Sequence, residues 1–542
     1  MLAGITAAKK HTTYYGILLA LVLIGGCWIR AAHFPHIPPG FNQDEAASGY
    51  EAFALAETGL DRWGNAWPAY FPSWGSGQSV LLAYLTVPIV KVFGLGIGTT
   101  RVVMLVLGML TLPLLAYCLR PLGRYPALLG TLLLAVVPWH FMLSRWGLDC
   151  NLAPFFMLLG CTTLSRALLV QRRRWIIPSL VPFGLCMYAY GTTVLVLPGF
   201  FLLVLLLVGL RTLRPHAGSW LLALGIFLLI STPFLLFFTE NYILGRNLAW
   251  TDGLFFSTNL LPVTRASQVS SASWSLTMQG NWRFLFDSFN DGTSYNLLPG
   301  FKLLLSITLP FTLVALLIGG WKLAKRRGRP ALSPTTIVLG MFVAWGLASL
   351  VLFFSFDVNV NRFNHAYLPC IVLAAWAISR TIDSFGPEVP RQTLRVAALA
   401  WLFLEGGLAV NSYFAEYQYG VIKKDFNNGL DEAFAAVPSL WGIEQVRITG
   451  SIPLPYLYTL FYTRYPPAEF QHEMQTTATD NMYNVKRFGK YVFDEAVLTP
   501  GRPYGYLSRR NEYPDTDQRH REVFYTNEDW EVGIMKPTAP AK

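Results

Sequence analysis

The sequence predicts a mainly α-helical protein that crosses a membrane many times and ends in a small α/β domain. Three observations predict this fold class. The 542 residues are 53% hydrophobic and only 13% charged, whereas soluble domains carry about 25% charged residues. Apolar runs long enough to cross a bilayer recur along residues 1–411, and residues 412–542 are polar.

The apolar runs define the helical part of the chain. A spanning helix needs roughly 20 mostly apolar residues. We predict about eleven spans, near residues 12–31, 101–119, 126–143, 152–170, 175–190, 193–210, 219–238, 303–321, 334–355, 366–380 and 395–411. The first run follows Lys9 and Lys10 and has no convincing small-residue cleavage site, so it is predicted to be an uncleaved anchor.

The distribution of basic residues predicts the orientation. Residues 1–411 carry 28 Lys and Arg against 14 Asp and Glu, while residues 412–542 carry 14 against 17. The basic excess therefore belongs to the apolar part, which indicates membrane topology and not nucleic-acid binding. With the N-terminus inside, the basic clusters fall in inner loops, and the short outer loops hold only Arg145 and Arg362. We expect a multi-pass plasma-membrane protein with a cytoplasmic N-terminus and an extracytoplasmic C-terminal domain.

Three outer segments are too long to be simple connections. They are residues 32–100, residues 239–302 and the tail, with the domain boundary placed between a membrane domain, 1–411, and a tail domain, 412–542. Within the first segment, Val80–Phe93 is apolar but only 14 residues long. That length favours a helix lying in the membrane interface over a span.

The tail changes from apolar runs to mixed α and β patterns. Its predicted strands are Gln445–Thr449 and Lys490–Val497, and its predicted helices are Gly429–Val437 and Pro455–Tyr462. We therefore predict a small α/β domain at the C-terminus.

The sequence lacks the motifs of the common soluble enzymes. It contains no Walker loop, no GxGxxG opening a helix, no HExxH and no GxSxG. The six cysteines are scattered, which gives no disulfide framework and no Cys-rich metal site. We predict neither a metal nor another cofactor. An enzyme that faces outward has no access to cytosolic nucleotides. Its activated substrate would therefore have to reach it through the bilayer, attached to a lipid.

The first candidate for chemistry is the acid pair Asp44-Glu45, just after the first predicted span. Charged groups near membrane depth are costly and need a reason. One interpretation is an acidic first helical turn, capped by Asn42 or by Asp44 itself. The other is a general base in a cleft at the membrane surface. The two are compatible, so both stay open at this point.

The second candidate is Asp149, in a tight outer loop four residues after Arg145. The two residues could form an ion pair at a helix end. Alternatively, Arg145 could meet an anionic phosphate while Asp149 faces a reacting hydroxyl or sugar.

The third candidate is Arg362, in the outer loop before the tenth predicted span. An arginine there could simply extend its charged end towards water. A contact with a lipid phosphate is the competing interpretation.

Several stretches of the sequence resemble a known family. They are FNQDEAASGYEAFALAETGLDRWGNAWPAYFPSWGSG, VLLAYLTVPIVKVFGLGIGTTRVVMLVLGMLTLPLLAYCLRPLG and LLAVVPWHFMLSRWGLDCNLAPFFMLLG, with NRFNHAYLPCIVLAAWAI as a later match. Their order resembles the bacterial ArnT-like and protein-mannosyltransferase-like glycosyltransferases, which are membrane enzymes of the GT-C fold. The resemblance is strongest over residues 40–200.

The resemblance implies an activity and a set of residues. It implies inverting transfer of a hexosyl or pentosyl group from a polyprenyl-phosphate carrier to a lipid, glycan or protein acceptor. The catalytic carboxylate of the family falls on Asp44, with Glu45 beside it, and the acid of the second outer loop falls on Asp149.

A phosphate-binding set is also implied by the resemblance. Relatives often carry a Lys-Pro-Pro-Leu-like stretch where this chain has Gly77–Val80, so Gln78 replaces the lysine. Arg101, Arg145 and Arg362 are the predicted substitutes that would contact the lipid phosphate.

We therefore predict a membrane glycosyltransferase acting on the outer face. The alternatives are a transporter or flippase for a lipid-linked or anionic substrate, and a non-catalytic scaffold that presents the tail to a partner. Transporters often have paired repeats with broken helices, and we find no such repeat in the sequence. The long first outer segment with its acid pair favours the enzyme.

Overall fold

Helices dominate the computed structural model, which describes residues 2–73, 77–251, 254–261, 274–324, 332–440, 442–479, 482–513 and 520–536. The α-helices of the described residues are α1 (Leu2–Ala31), α2 (Gln43–Thr58), α3 (Leu81–Phe93), α4 (Ile97–Cys118), α5 (Arg124–Val136), α6 (Pro138–Leu143), α7 (Ala153–Val170), α8 (Arg173–Ile176), α9 (Val181–Cys186), α10 (Thr193–Val208), α11 (Leu210–Leu213), α12 (Ala217–Phe238), α13 (Trp274–Phe286), α14 (Thr308–Ala324), α15 (Pro334–Ser355), α16 (Tyr367–Ser384), α17 (Glu388–Ala415), α18 (Ile422–Asp425), α19 (Leu430–Ala436), α20 (Pro455–Thr463) and α21 (Pro467–Glu473).

Each of the eleven predicted spans coincides with helical structure. Six helical segments within the described residues are long and apolar enough to cross a membrane, namely Thr13–Ala31, Ile97–Leu122, Asp149–Val170, Leu210–Leu244, Pro334–Ser355 and Glu388–Tyr419. Shorter apolar helices include α5, α10 and most of α14. The polytopic helical fold is therefore confirmed, while the number of eleven spans stays a prediction.

Prolines divide two of the predicted spans. The run 126–143 breaks after Val136, because Pro138 cannot donate to the preceding turn and holds Val137 extended. The run 175–190 becomes α8, a 3₁₀ turn and α9, with Pro178 and Pro182 at the starts of the last two. These segments are helical as predicted, but they are not continuous.

The chain forms two compact units. Unit 1 contains residues 1–34, 104–232 and 268–417, and unit 2 contains residues 35–103, 233–267 and 418–542. The first outer segment and the tail are thus parts of the same unit. The predicted division into a membrane domain and an extracytoplasmic domain concerns topology and stays a prediction. Most of the basic inner cluster near residues 322–329 lies outside the described residues.

Unit 1 is a bundle of apolar helices held together by close packing. Trp376 and Ala377 of α16 pack with Ala315 of α14 in one buried cluster. Gly108 of α4 lies so close to Ser144 that a β-carbon there would be 2.3 Å from the serine oxygen. Such close contacts are how apolar helices associate where water provides no driving force between them.

Unit 2 contains a seven-stranded mixed sheet from the tail. Its strands are β1 (Val446–Ile448), β2 (Gln475–Thr479), β3 (Met482–Phe488), β4 (Tyr491–Val492), β5 (Tyr504–Arg509), β6 (Arg521–Thr526) and β7 (Trp530–Met535). The order is β2-β3-β4-β1-β5-β7-β6, with β1 parallel to both neighbours and the other pairs antiparallel.

The tail predictions are confirmed in part. The predicted helices match α19 and α20, and the first predicted strand matches β1. The prediction of a strand over Lys490–Val497 is wrong beyond Val492, because Asp494 caps a 3₁₀ turn there by accepting a hydrogen bond from the Ala496 N–H.

Candidate active site at the first turn of the second helix

Helix α2 begins with a complete capping box. The side chain of Asn42 accepts a hydrogen bond from the Asp44 N–H at 2.9 Å, and the Glu45 carboxylate accepts one from the Asn42 N–H at 3.2 Å. This satisfies N–H groups that a helix start otherwise leaves unpaired. The cap of this helix is therefore Asn42 and not Asp44.

Glu45 is fully buried in an ion pair with Arg101. Nε and Nη2 of Arg101 donate to the two carboxylate oxygens, each at 2.8 Å. The remaining Arg101 donors bind the carbonyl oxygens of Pro35, Pro38 and Gly40 at 2.7–2.9 Å. All five N–H donors of the guanidinium are thus occupied.

These contacts bear on the predicted roles of Glu45 and Arg101, which stay predictions. A catalytic base needs a carboxylate that can reach substrate, and Glu45 is enclosed by Arg101 and the Asn42 N–H. A phosphate ligand needs free donors, and Arg101 has none to spare. The geometry instead favours a structural role for both residues, which fix the segment entering α2 against the start of α4.

A second buried pair fixes the middle of α2. Arg62 lies 2.6 Å from Glu51, with both side chains fully buried, and its backbone N–H also donates to Glu51 at 2.9 Å. Burial raises the pKa of Glu51, and the positive charge of Arg62 opposes that change. Of the four carboxylates on α2, two are therefore buried in ion pairs, Glu57 is exposed near the C-terminal end, and Asp44 is half-buried at the first turn.

Gln78 lies directly beside this first turn. Its Nε2 donates to the Asp44 carbonyl at 3.2 Å and to the Ser48 hydroxyl at 3.1 Å. A short antiparallel bridge to Phe71 holds its backbone in place. The side chain is buried, and its Oε1 has no hydrogen-bond partner among the residues that the structure describes. Because buried polar atoms are normally paired, this oxygen is a candidate acceptor for a ligand hydroxyl.

The tail contributes the other neighbour of Asp44. Tyr458 of α20 accepts a hydrogen bond from Asn427 at 2.8 Å, and its hydroxyl lies 3.4 Å from Gln43 Oε1. Burial raises the pKa of Tyr458, and the nearby negative charges, Asp44 among them, raise it further. Asn427 in turn accepts from Arg509 at 3.0 Å. A polar chain from the sheet of the tail therefore ends at the first turn of α2.

Aromatic packing holds α20 against α2. The rings of Phe41 and Phe461 lie 4.5 Å apart, and the Tyr50 hydroxyl donates to the Tyr465 carbonyl at 2.7 Å. Sequence analysis missed this arrangement. It predicted the helix at 455–462, but the sequence carries no signal that pairs it with a segment 400 residues away.

The remaining predicted residues belong to unit 1. Arg145 is fully buried and donates to the carbonyl oxygens of Ile29, Arg30 and Ala32 at 2.5–2.8 Å. It thereby satisfies the C-terminal carbonyls of α1 and complements the helix dipole. These contacts favour a structural role for Arg145, and its predicted contact with a lipid phosphate stays a prediction.

Asp149 and Arg362 lie in separate turns of unit 1. Asp149 is buried, starts a 3₁₀ turn that leads into α7, and accepts a hydrogen bond from the Cys150 N–H at 2.8 Å. Arg362 is half-buried, and its Nη1 donates to the Asp357 carbonyl at 2.8 Å. The structure thus brings Asp44, Glu45, Gln78 and Arg101 together in unit 2, and places Arg145, Asp149 and Arg362 in unit 1.

No metal centre is apparent in the described part of the chain, where no group of three or more His, Cys, Asp or Glu side chains is placed to hold an ion.

Comparisons with known proteins agree with the resemblance found in the sequence. Residues 78–237 match the family model described as dolichyl-phosphate-mannose-protein mannosyltransferase. The crystal structure of ArnT from Cupriavidus metallidurans in the apo state is 13% identical, with a TM-score of 0.56, and the match covers 97% of this chain and 98% of that one.

The structure of the same ArnT bound to undecaprenyl phosphate is 13% identical, with a TM-score of 0.57, and covers 96% of this chain and 98% of that one. No curated protein matches the chain in a sequence search. The resemblance to the ArnT-like and protein-mannosyltransferase-like glycosyltransferases is therefore confirmed, and the chain has the GT-C fold of ArnT.

Proposed function

We propose that this protein is a membrane glycosyltransferase that moves a sugar from a polyprenyl-phosphate carrier to an acceptor. The fold of ArnT over nearly the whole chain supports the reaction class, and the ligand of the second ArnT structure, undecaprenyl phosphate, supports the type of carrier. The match of residues 78–237 to a family named for a lipid-phosphate sugar donor also supports a carrier of this type.

One observation carries the choice of Asp44 as the base. Among the carboxylates of α2, Glu45 and Glu51 are buried in ion pairs and Glu57 is exposed near the far end of the helix. Asp44 is half-buried, is not the helix cap, and lies beside two buried polar groups, Gln78 and Tyr458. It is therefore the carboxylate of α2 best suited to meet a substrate.

The proposed reaction uses Asp44 as the base. Asp44 takes the proton from the acceptor hydroxyl or amine, whose lone pair attacks the anomeric carbon of the sugar. The bond between that carbon and the phosphate oxygen breaks, and its electron pair leaves with the lipid phosphate. Attack opposite to the leaving group inverts the anomeric centre. The carboxylate also stabilises the positive charge that develops on the sugar ring.

Two further roles are part of the proposal. Gln78 Oε1 accepts a hydrogen bond from a sugar or acceptor hydroxyl, because it is a buried acceptor with no partner among the described residues. Arg362 is the predicted arginine that is only half-buried, so it is the best of the three to bind a lipid phosphate. Asp149 remains the second candidate base.

The site is proposed to act on the outer face of the plasma membrane, with the N-terminus in the cytoplasm. The basic inner loops support this orientation. The acceptor is a lipid, a glycan or a protein of the cell envelope.

A comparison of cells tests the proposal. Mass spectrometry of envelope glycans and lipids is performed on cells that lack the protein, express it, or express Asp44→Asn. Asparagine keeps the size but not the charge, so the glycan that depends on the protein should fall by a factor of about 10² or more. Glu57→Gln is the matched control, since it removes a carboxylate from the exposed end of the same helix.

The result has two contrary outcomes. If the glycan persists with Asp44→Asn at normal expression, Asp44 is not the base and Asp149 takes its place as the leading candidate. If no glycan or lipid changes when the protein is absent, while a transport assay for lipid-linked sugars does change, the transporter alternative replaces the enzyme.

A further inference from the structure

A half-open cavity of about 300 Å³ lies within unit 1, and none of its lining residues has been assigned a role in sugar transfer above. Its walls come from the C-terminal ends of α4 and α7 and from the start of α15. Two arginines, Arg120 and Arg166, line it together with Thr162, Ser165, Leu169 and Val338.

The cavity has a local excess of positive charge. Residues 104–232 contain nine arginines and one acidic residue, Asp149. Asp149 lies 17 residues before Arg166, about 25 Å away along the helical axis at 1.5 Å per residue. The Arg120 carbonyl accepts a hydrogen bond from the Gly123 N–H at 3.1 Å. Among the residues that the structure describes, neither cavity arginine forms an ion pair or a hydrogen bond through its guanidinium group.

Aromatic rings orient both guanidinium groups. Arg120 lies 5.2 Å from the centre of the Tyr117 ring, and Arg166 lies 5.4 Å from that of Trp175. A guanidinium held against a ring by a cation–π contact still presents its N–H edge. Two N–H groups of that edge can donate to two oxygens of one phosphate at the same time.

Two of the cavity's hydroxyl groups already donate within their own helix. Thr162 donates to the Leu158 carbonyl at 2.7 Å, and Ser165 donates to the Cys161 carbonyl at 2.6 Å. The charged donors that line the cavity are those of the two arginines, and the neutral hydroxyl of Tyr117 lies beside them. The two positive charges favour an anion.

The position of the cavity indicates the source of that anion. Arg120 and Arg166 lie near the ends of two candidate spans, Ile97–Leu122 and Asp149–Val170, and Val338 lies near the start of a third. The ends of spans lie at the depth of lipid headgroups. Leu169 and Val338 add an apolar wall, which suits the glycerol and the first carbons of an acyl chain and would offer nothing to a free ion.

A single arginine at a helix end needs no ligand, because it can extend to water and complement the helix dipole. Here two arginines from different helices converge on one cavity. We propose that this cavity is a binding site for the phosphate headgroup of an anionic membrane lipid, of the kind that basic pockets between spans recognise.

Binding of a defined lipid to the purified full-length protein tests the proposal. The probes are dioleoyl phosphatidylglycerol, dioleoyl phosphatidylcholine and inorganic phosphate, and the readout is the bound adduct in native mass spectrometry. The test variant is Arg120→Gln with Arg166→Gln. The matched control is Arg211→Gln with Arg214→Gln, which removes two exposed arginines from the same acid-poor region.

The expected result is a loss of phosphatidylglycerol affinity of about tenfold or more in the test variant, since two charge-assisted contacts are removed. The control variant should bind as the wild type does. If the test variant fails to fold, Leu169→Trp gives the same test, because it fills the cavity and leaves both guanidinium groups intact.

Three results would overturn the proposal. One is equal binding of phosphatidylglycerol by the test and control variants. Another is binding of inorganic phosphate that displaces the lipid at equal concentration, which would assign the cavity to a free anion. The third is equal affinity for phosphatidylcholine, which would leave the arginines without a role.

Discussion

Asp44 and Glu45 are neighbours in the chain with opposite environments. The Glu45 side chain is enclosed by Arg101 and closes the capping box, whereas Asp44 is half-buried beside Gln78 and Tyr458. Adjacent residues of a helix face about 100° apart, so one turn can hold a structural carboxylate and a reactive one. A measurement of stability therefore tests the role of Glu45, and a measurement of sugar transfer tests the role of Asp44.

Glu45→Gln should destabilise the protein strongly. It leaves the Arg101 charge buried without its partner, and removing one member of a buried ion pair costs about 3–5 kcal/mol. Thermal unfolding in detergent should show a clear drop in apparent Tm. Asp44→Asn is the matched comparison and should unfold near the wild-type temperature. Equal unfolding temperatures for the two variants would argue against the structural role of Glu45.

Tyr458→Phe should lower transfer without changing stability much. The change removes one hydroxyl from the polar chain that ends at the first turn of α2, and a neutral hydrogen bond contributes about 0.5–1.5 kcal/mol. We expect a loss of transfer of roughly twofold to tenfold. Tyr462→Phe, one helical turn further along α20, is the control and should be near wild type. If both variants have the same activity, Tyr458 does not position Asp44.

At the scale of elements, the contact between α2 and α20 depends on a glycine. A β-carbon at Gly49 would lie 2.6 Å from the Thr100 hydroxyl and 2.7 Å from the Phe461 ring. Glycine at this point of α2 costs helix stability, and the close approach of α20 and the start of α4 explains it.

Gly49→Ala should therefore destabilise the protein by about 1–3 kcal/mol, the usual cost of overpacking. Gly225→Ala in α12 is the control, because nothing lies within 4 Å of its added β-carbon. That change should be neutral or slightly stabilising, since alanine favours helices. The measurement is the thermal unfolding temperature of both variants. A Gly49→Ala variant that is more stable than the wild type would mean that α20 does not pack this closely.

The sequence predicted where the secondary-structure elements lie better than it predicted which segments pack against each other. Helical structure lies within each apolar run that was predicted to span the membrane, and the pattern of Pro455–Tyr462 located α20, because local composition determines both. Arg101 and Arg145 were predicted to be phosphate ligands as substitutes for the lysine that relatives carry where this chain has Gln78. Their buried contacts with backbone carbonyls depend on how distant segments pack, which a single sequence does not record.

Five strands of the tail were missed, namely β2, β3, β5, β6 and β7. The two that were predicted, β1 and β4, are only three and two residues long, so the predicted stretches were longer than the strands. β6 has exposed apolar residues, Val523 and Phe524, at an edge of the sheet. Pairing with neighbouring strands, and not local propensity, defines such elements.

At the scale of the whole molecule, the orientation remains to be measured. The basic inner loops predict that Ser451 is outside and Ser333 is inside, and both residues are exposed. With the native cysteines replaced, a membrane-impermeant thiol reagent should label Ser451→Cys in intact cells. It should label Ser333→Cys only after permeabilisation. The reverse pattern would invert the topology.

Truncation after Tyr417 tests the division into two units. It removes Tyr458 and Phe461, which contact α2, and Asn427, which donates to Tyr458, while unit 1 loses no residue. We expect the truncated chain to insert into the membrane, to lose transfer, and to become sensitive to protease between residues 35 and 103. A truncated chain that resists protease there as well as the full chain does would show that this segment folds without the tail.

Unit 2 is assembled from three stretches of chain, the last of which begins at residue 418. Ribosomes add about 5–20 residues per second, so roughly 15–60 s pass between synthesis of residue 103 and of residue 418. Throughout that interval the start of α2 has emerged but its aromatic partners on α20 do not yet exist. The nascent protein must therefore keep an unfinished apolar surface from misassembling during biogenesis, and it gains activity only when translation is nearly complete. Premature stop codons anywhere before the tail should consequently behave as complete losses of function.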